Sequence, residues 1–214
     1  MKITVFGATG QTGQHVLQAA LDKGYEVTAL VRNPDKVDAA LRIQHAKQLK
    51  LVQGDILDGE AVSKALTGSE GFIFAVGPVK GSPPDLPERA AQTVLAAAKQ
   101  VGVSRFVWLL GAGVVDSRDE PDKIRKVMQA LMRVFAKSLL ESSQKAYDQI
   151  IQSGMDYTVV RPPVLSNKAT QGSLTASYKP PKPSAISRAD LGEFMVNALT
   201  EEQWRAESPM VAYA

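Results

Sequence analysis

The chain contains no cysteine. That excludes disulfides, thiolate nucleophiles and zinc–sulfur centres. Its two histidines, His15 and His45, lack the spacing of a metal-ligand pair, so no metal site is expected. No apolar run approaches the ~20 residues that a membrane helix needs, so no membrane partner is expected. The first strand signal begins at Lys2, which leaves no room for a signal peptide and makes the cytoplasm the expected location. A formal net charge of only +3, with no basic block interleaved with aromatics, argues against nucleic acid as a partner. A mild positive balance suits an anionic cofactor without proving one.

What is present is an alternation. With 214 residues and 44% apolar side chains, the chain fits one α/β domain with a sizeable core. Ile3–Phe6 is a short β-branched run closed by Gly7 and reads as a buried strand. Val16, Leu17, Ala20 and Leu21 follow at helical spacing, with Gly24 where a helix-terminating glycine belongs. Val27–Val31 is the second strand. A polar helix is predicted over 35–48, and Leu49–Val52 is the third strand. Asp58 is placed to cap a short helix ending near Gly68. Phe72–Val76 is the fourth strand, followed by a loop over 77–87 and a helix facing inward through Val94, Leu95, Ala98 and Val101. Phe106–Leu110 is the fifth strand. Helical periodicity over 121–153, with Ile124, Val127, Met128, Leu131 and Phe135 on one face, predicts a helical stretch with a bend or break around 137–143. Tyr157–Val160 is the sixth strand. Continuous apolar strands alternating with amphipathic helices imply an α/β fold of Rossmann type, a doubly wound parallel sheet with helices on both faces, in a single domain over 1–214. Residues 166–185 break the rhythm, polar and rich in Lys and Pro, and read as a functional flap. Residues 111–135 and 164–186 are expected to shape the substrate side.

Gly7-Ala8-Thr9-Gly10-Gln11-Thr12-Gly13 lies between the first strand and the first helix, the context that gives such a motif meaning. Gly7 allows the sharp exit from the strand. Gly10 lets a pyrophosphate approach the backbone, and Gly13 lets the helix pack closely on the sheet. Free N–H groups of the first helical turn then face the phosphates, aided by the helix dipole. Thr9, Gln11 and Thr12 add side-chain donors. At the end of the second strand, where an NAD site carries an acid for the ribose hydroxyls, the chain has Arg32-Asn33-Pro34-Asp35-Lys36. A guanidinium there pairs naturally with a 2′-phosphate, and Lys36 adds a second charge; the alternative is a surface arginine beside Asp35. NADP (NADPH) is therefore favoured over NAD.

Three further strand ends are candidates. Asp55, with Ile56, would meet the adenine, or Asp55 would serve only as a turn acid. Ala75, Val76 and Gly77 would let backbone pass close to the cofactor, or simply start a loop. Pro162, Pro163 and Val164 follow Arg161 at the edge where open α/β sheets bind ligands, and would hold the nicotinamide or form only a stiff connection.

These residues, with Tyr25–Asn33, Ser153–Tyr157 and Ser187–Phe194 in the same order, resemble the atypical short-chain dehydrogenase/reductases of the NmrA-like, NAD(P)H-binding group. Within it the resemblance is strongest to the biliverdin reductase B, or flavin reductase, branch and its bacterial relatives. It implies an NADPH-dependent reductase in which a flat conjugated acceptor, such as a flavin or a linear tetrapyrrole, stacks against the nicotinamide; a flavin or quinone-like acceptor is the kind that needs no built-in proton donor. It also implies cofactor roles for Gly7, Thr9, Gly10, Gln11, Thr12, Gly13, Arg32, Asp55, Gly77 and Pro163. Two departures stand out: Gly111 replaces the branch's serine after the fifth strand, and Val164 its histidine after the double proline. Tyr-x-x-x-Lys, by which ordinary short-chain dehydrogenases protonate an alkoxide, is missing as well, since Tyr147 is followed four residues on by Ile151. Tyr147 is the remaining candidate proton donor, with helix packing as its alternative role. A non-catalytic NAD(P)-binding sensor or regulator is the competing reading. The sequence sets no oligomeric state, and a monomer fits it.

Overall fold

The computed structural model describes residues 1–79, 81–121, 136–179 and 185–213. Six parallel strands form its centre: β1 (Lys2–Phe6), β2 (Glu26–Val31), β3 (Leu49–Gln53), β4 (Gly71–Phe74), β5 (Arg105–Leu109) and β6 (Asp156–Val160). Their order is β3-β2-β1-β4-β5-β6. The winding reverses between β1 and β4, and such a reversal opens a crevice at the carboxyl edge of the strands. The doubly wound Rossmann-type α/β fold read from the sequence is the fold observed.

Strand alternation divides the core between the two faces. Ile3, Val5, Val27, Ala29, Val31, Ile73 and Val107 point to one side, against α1 (Gly13–Asp22) and the helix Arg188–Ala198. Phe6, Leu30, Phe72, Phe74, Phe106 and Trp108 point to the other. That second face is covered by α3 (Gly59–Leu66), α4 (Leu86–Val101) and α5 (Lys137–Gln152), while Leu41 of the short α2 (Ala39–Gln44) joins the core of the first face. The helix Arg188–Ala198 is α6. On the second face a ladder of aromatic rings runs across neighbouring strands. Phe72 lies opposite Phe106, and Phe74 opposite Trp108. Their ring centroids are 4.7 and 3.7 Å apart in near-parallel stacks. Cross-strand aromatic pairs of this kind stiffen a sheet, here beneath its carboxyl edge.

Several sequence expectations change in detail. The polar helix over 35–48 becomes a 3₁₀ turn (Pro34–Lys36) and the short α2. Val37, buried and extended at φ −81°, ψ 131°, separates them. The helical stretch from Pro121 falls partly outside the described residues, including Ile124, Val127, Met128, Leu131 and Phe135. Its described part, α5, begins at Lys137, directly after the non-helical Ala136 (φ −142°, ψ 36°) at the edge of the expected bend or break, and continues to Gln152. Residues 166–185, read as irregular, contain β8 (Leu174–Ser177), which pairs with β10 (Met210–Tyr213). β7 (Val164–Ser166) pairs with β9 (Ala185–Ser187). Backbone bonds from Val159 to Glu207 (2.8 Å) and from Arg161 to Pro209 (3.0 Å) carry the C-terminal strand alongside β6.

Candidate functional site

Gly7 leaves β1 at φ +84°, a left-handed conformation that only glycine adopts freely. A Cβ there would stand 2.7 Å from the Ala75 carbonyl carbon, and one on Gly13 would stand 1.9 Å from the Gly7 oxygen. Both positions therefore exclude any side chain. Gly10 differs: a Cβ would meet only the Gly7 oxygen, at 3.2 Å, so the outer side of the turn is open. The turn is closed by Gly10 N–H donating to the Gly7 oxygen (2.8 Å), and Gln14 N–H donates to Gly10 (3.0 Å). Among the described residues, the backbone N–H groups of Gln11, Thr12 and Gly13 have no hydrogen-bond partner. Thr12 stands at the N-cap in a helical conformation and its side chain makes no cap bond. Nor does any acid occupy the first turn. Three orphan N–H groups at the positive end of a helix, with no internal anion to meet them, form a receptor for an external one. Thr9 and Gln11 are exposed around this opening, whereas Thr12 is buried.

The remaining candidates spread along the same edge. On the β2–β3 side, Arg32 is exposed and, among the described residues, makes no ion pair with Asp35 or any other carboxylate. Lys36 is also exposed. Asn33 is committed locally, its side-chain oxygen accepting from Asp35 N–H at 2.9 Å. Asp55 accepts from Leu57 N–H at 2.9 Å, the turn role that was its alternative. Ile56 is half-buried against the α3–α4 face.

On the β4–β6 side a cavity of about 260 Å³ opens. Val76, Gly77, Gly111, Pro162 and Pro163 line it, as does Trp108 from the aromatic ladder. Ala75 is not among the described lining residues; its carbonyl instead closes the space where a Cβ on Gly7 would stand. Val164 is not among the described lining residues. It is 59% exposed, and Leu165 lines the cavity in its place, because successive side chains on β7 alternate in direction. The far wall is one that sequence reasoning missed: Leu86, Pro87 and Ala90 from α4, and Leu139, Leu140 and Ser143 from α5. Their helical spacing is indistinguishable from an ordinary core face, so no sequence signal separated them.

Tyr147, the expected proton donor, needs correction. It is 3% exposed and is not among the described residues lining the cavity. Its hydroxyl donates to Asp116 Oδ2 at 2.5 Å and lies 3.3 Å from Ser208 Oγ. Burial, then the bond to Asp116, pushes its pKa up to about 12. Burial alone would raise the Asp116 carboxyl, but hydrogen bonds from Arg118 and Tyr147 and the Arg118 charge bring it down to about 2. An acid that holds its proton this tightly, with its hydroxyl already engaged, packs α5 against the segment after β5. Arg161 is structural too. Fully buried, it pairs through both terminal nitrogens with Asp119 at 2.6 and 2.9 Å, and Nε donates to the Ser208 carbonyl at 2.7 Å. The described part of the expected flap is tied to the same network. Tyr178 lies under the Arg118 guanidinium, 4.4 Å from ring centroid to Cζ, and donates to Glu207 at 2.5 Å.

A glycine turn with free donors at the sheet's switch point, beside an apolar cavity, is the geometry of a nucleotide site. A family model described as NAD(P)H-binding matches residues 7–202. The chain belongs to the NAD(P)H-binding family. An uncharacterized chloroplastic protein of Arabidopsis thaliana is 27% identical to this NAD(P)H-binding chain over 228 residues, covering 99% of the chain and 80% of the relative. Cinnamoyl-CoA reductase 1 of Petunia hybrida is 27% identical over 191 residues, 82% of the chain, and the chain spans only 57% of that protein's length. A short-chain dehydrogenase/reductase of Veillonella parvula, solved in complex with NADP, matches with a TM-score of 0.81 at 17% identity, covering 99% of this chain and 94% of that one. At that identity the likeness establishes the fold. Among the described residues no helix is long and apolar enough to cross a membrane, and no group of acids and histidines could hold a metal ion.

Proposed function

We propose that this chain is an NADPH-dependent reductase of a flat conjugated acceptor, flavin or quinone-like, acting in the cytoplasm. The observation that carries the reading is the placement of two features on one sheet edge: unpaired N–H donors at Gln11–Gly13 and, across the switch point, a rigid apolar cavity. The residues fit the dinucleotide. Gln11, Thr12 and Gly13 would hold the pyrophosphate through backbone N–H groups, with Thr9 beside them and Gly10 leaving room for approach. Arg32, aided by Lys36, would meet a 2′-phosphate. Asp55 and Ile56 would flank the adenine. Val76, Gly77, Gly111, Pro162 and Pro163 would bound the nicotinamide, whose chemistry when bound is hydride donation. The protein's own contribution is positioning on a stiff wall and exclusion of water. With Tyr147 committed to Asp116, the proton falls to solvent, which suits a conjugated acceptor better than a simple carbonyl.

The test is consumption of NADPH, followed at the nicotinamide absorbance band, with FMN, FAD and 1,4-naphthoquinone as acceptors. Turnover above the enzyme-free rate with one of them supports the reading, and none across the panel removes it. The second reading, an NAD(P)-binding sensor without turnover, is favoured by one observation: neither Gly111, Val164 nor Tyr147 offers the cavity a proton donor. It predicts selective binding of one nicotinamide form and no acceptor reduction.

A further inference from the structure

The cavity's described walls carry no charged side chain, and they offer only two polar side-chain groups, the Ser143 hydroxyl and the Trp108 indole N–H. Trp108 is 1% exposed and stacked on Phe74. Ser143 is half-exposed and, among the described residues, its hydroxyl has no hydrogen-bond partner. Its neighbours on α5 are fixed on both sides. Ser142 accepts from Glu88 N–H at 3.0 Å, and Lys145 reaches Glu88 at 3.1 Å, which bind α5 to α4. Gln144 clasps Val115, accepting from its N–H at 2.8 Å and donating to its carbonyl at 3.1 Å. The helix is thus pinned before and after Ser143, while Ser143 itself is left with a free donor facing an apolar space. In such surroundings a single hydroxyl sets orientation, because a buried ligand oxygen left unpaired is costly.

We propose that Ser143 donates a hydrogen bond to a carbonyl oxygen of the bound acceptor, and that this acceptor is an uncharged fused-ring quinone rather than a phosphorylated flavin. The inference deepens the functional reading and rests on it. Apolar walls built from Leu139, Leu140, Pro163 and the Trp108 ring favour a flat hydrocarbon face. No described lining residue offers a cation to a phosphate tail. The cavity of about 260 Å³ is shared with the nicotinamide that Val76, Gly77, Gly111, Pro162 and Pro163 would bound, which leaves room for a small ring system. Sequence reading did not single out Ser143, because nothing local distinguishes it from Ser142.

The test uses 1,4-naphthoquinone, naphthalene and FMN as probes, titrated into the full chain with Trp204→Phe, so that Trp108 is the one remaining fluorophore of its kind. Ser143→Ala and Ser143→Thr are compared in that background, each with its melting temperature. Saturable quenching by naphthoquinone is expected, weakened roughly fivefold in Ser143→Ala, the scale of one neutral hydrogen bond, and recovered in Ser143→Thr. Naphthalene, which has the same rings and no carbonyl, should bind both variants alike. Equal naphthoquinone affinity in Ser143→Ala would overturn the proposal, as would an equal loss for naphthalene, which marks packing alone. Tighter saturation by FMN than by naphthoquinone would overturn the acceptor class. Calorimetry with NADPH on the wild-type chain separates the two levels, since absence of that binding removes the functional reading together with this one.

Discussion

At the scale of single residues, the glycines of the first turn do different work. Gly13 cannot carry a side chain without colliding with the Gly7 oxygen at 1.9 Å, whereas Gly10 is open outward. Gly10→Ala should therefore leave melting within ~1 kcal/mol of wild type, as for a tolerated small substitution, yet weaken NADPH binding measured by calorimetry. Arg32→Ala should cost NADPH about 1–3 kcal/mol, the scale of a lost bond to a charged group, and leave NADH nearly unchanged. A parallel loss for both nucleotides would make Arg32 structural. The Asp116 carboxyl offers a pH test. Its folded pKa, about 2, lies below the ordinary 3.8. Stability from the ionised Arg118–Asp116–Tyr147 contacts is thus fully present above about pH 4 and is lost as pH falls through 2. Asp116→Asn should flatten acid unfolding, followed by circular dichroism, across that window. The geometry of the glycine turn was legible in the sequence, because a sharp exit at Gly7 and close packing at Gly13 admit no side chain. Residue roles were not legible for Tyr147, whose neighbour Asp116 lies 31 positions away in sequence, or for Ser143.

At the scale of elements, the sequence showed each central strand because buried parallel strands are continuous apolar runs, and it showed α4 to its closing glycine, Gly102, at φ +76°. It did not show β8, whose half-buried positions alternate with exposed ones and carry no apolar run, or β10, a buried apolar run of only four residues. Nor did it show how closely helices approach. A Cβ on Gly192 of α6 would stand 2.9 Å from the His15 carbonyl carbon of α1. Gly192→Ala should push the two helices apart and lower stability by about 1–3 kcal/mol, the cost of overpacking, read by thermal melting. Asp119 fixes the end of β6 through the buried Arg161. Asp119→Ala leaves that guanidinium without its carboxylate and should cost about 3–5 kcal/mol. A loss below 1 kcal/mol would place the end of β6 under other control.

At the scale of the whole molecule, three regions share one edge: an exposed guanidinium at the end of β2, free amide donors at the switch point and an apolar cavity beyond β4. The order β3-β2-β1-β4-β5-β6 sets them in a row of the kind that an extended dinucleotide spans. Topology of this kind is readable from alternating elements, because right-handed crossovers leave few ways to wind the sheet. The cavity's far wall is a product of that winding and is invisible to local pattern. The central claim is that the first-helix amides grip a nicotinamide nucleotide. Calorimetric titration of NADPH into the wild-type chain and into Gly10→Val, both checked for folding, tests it most directly. Saturable heat with the wild type and its loss in a folded Gly10→Val protein is the predicted result. No heat from the wild type, or equal heat from both, would contradict the account.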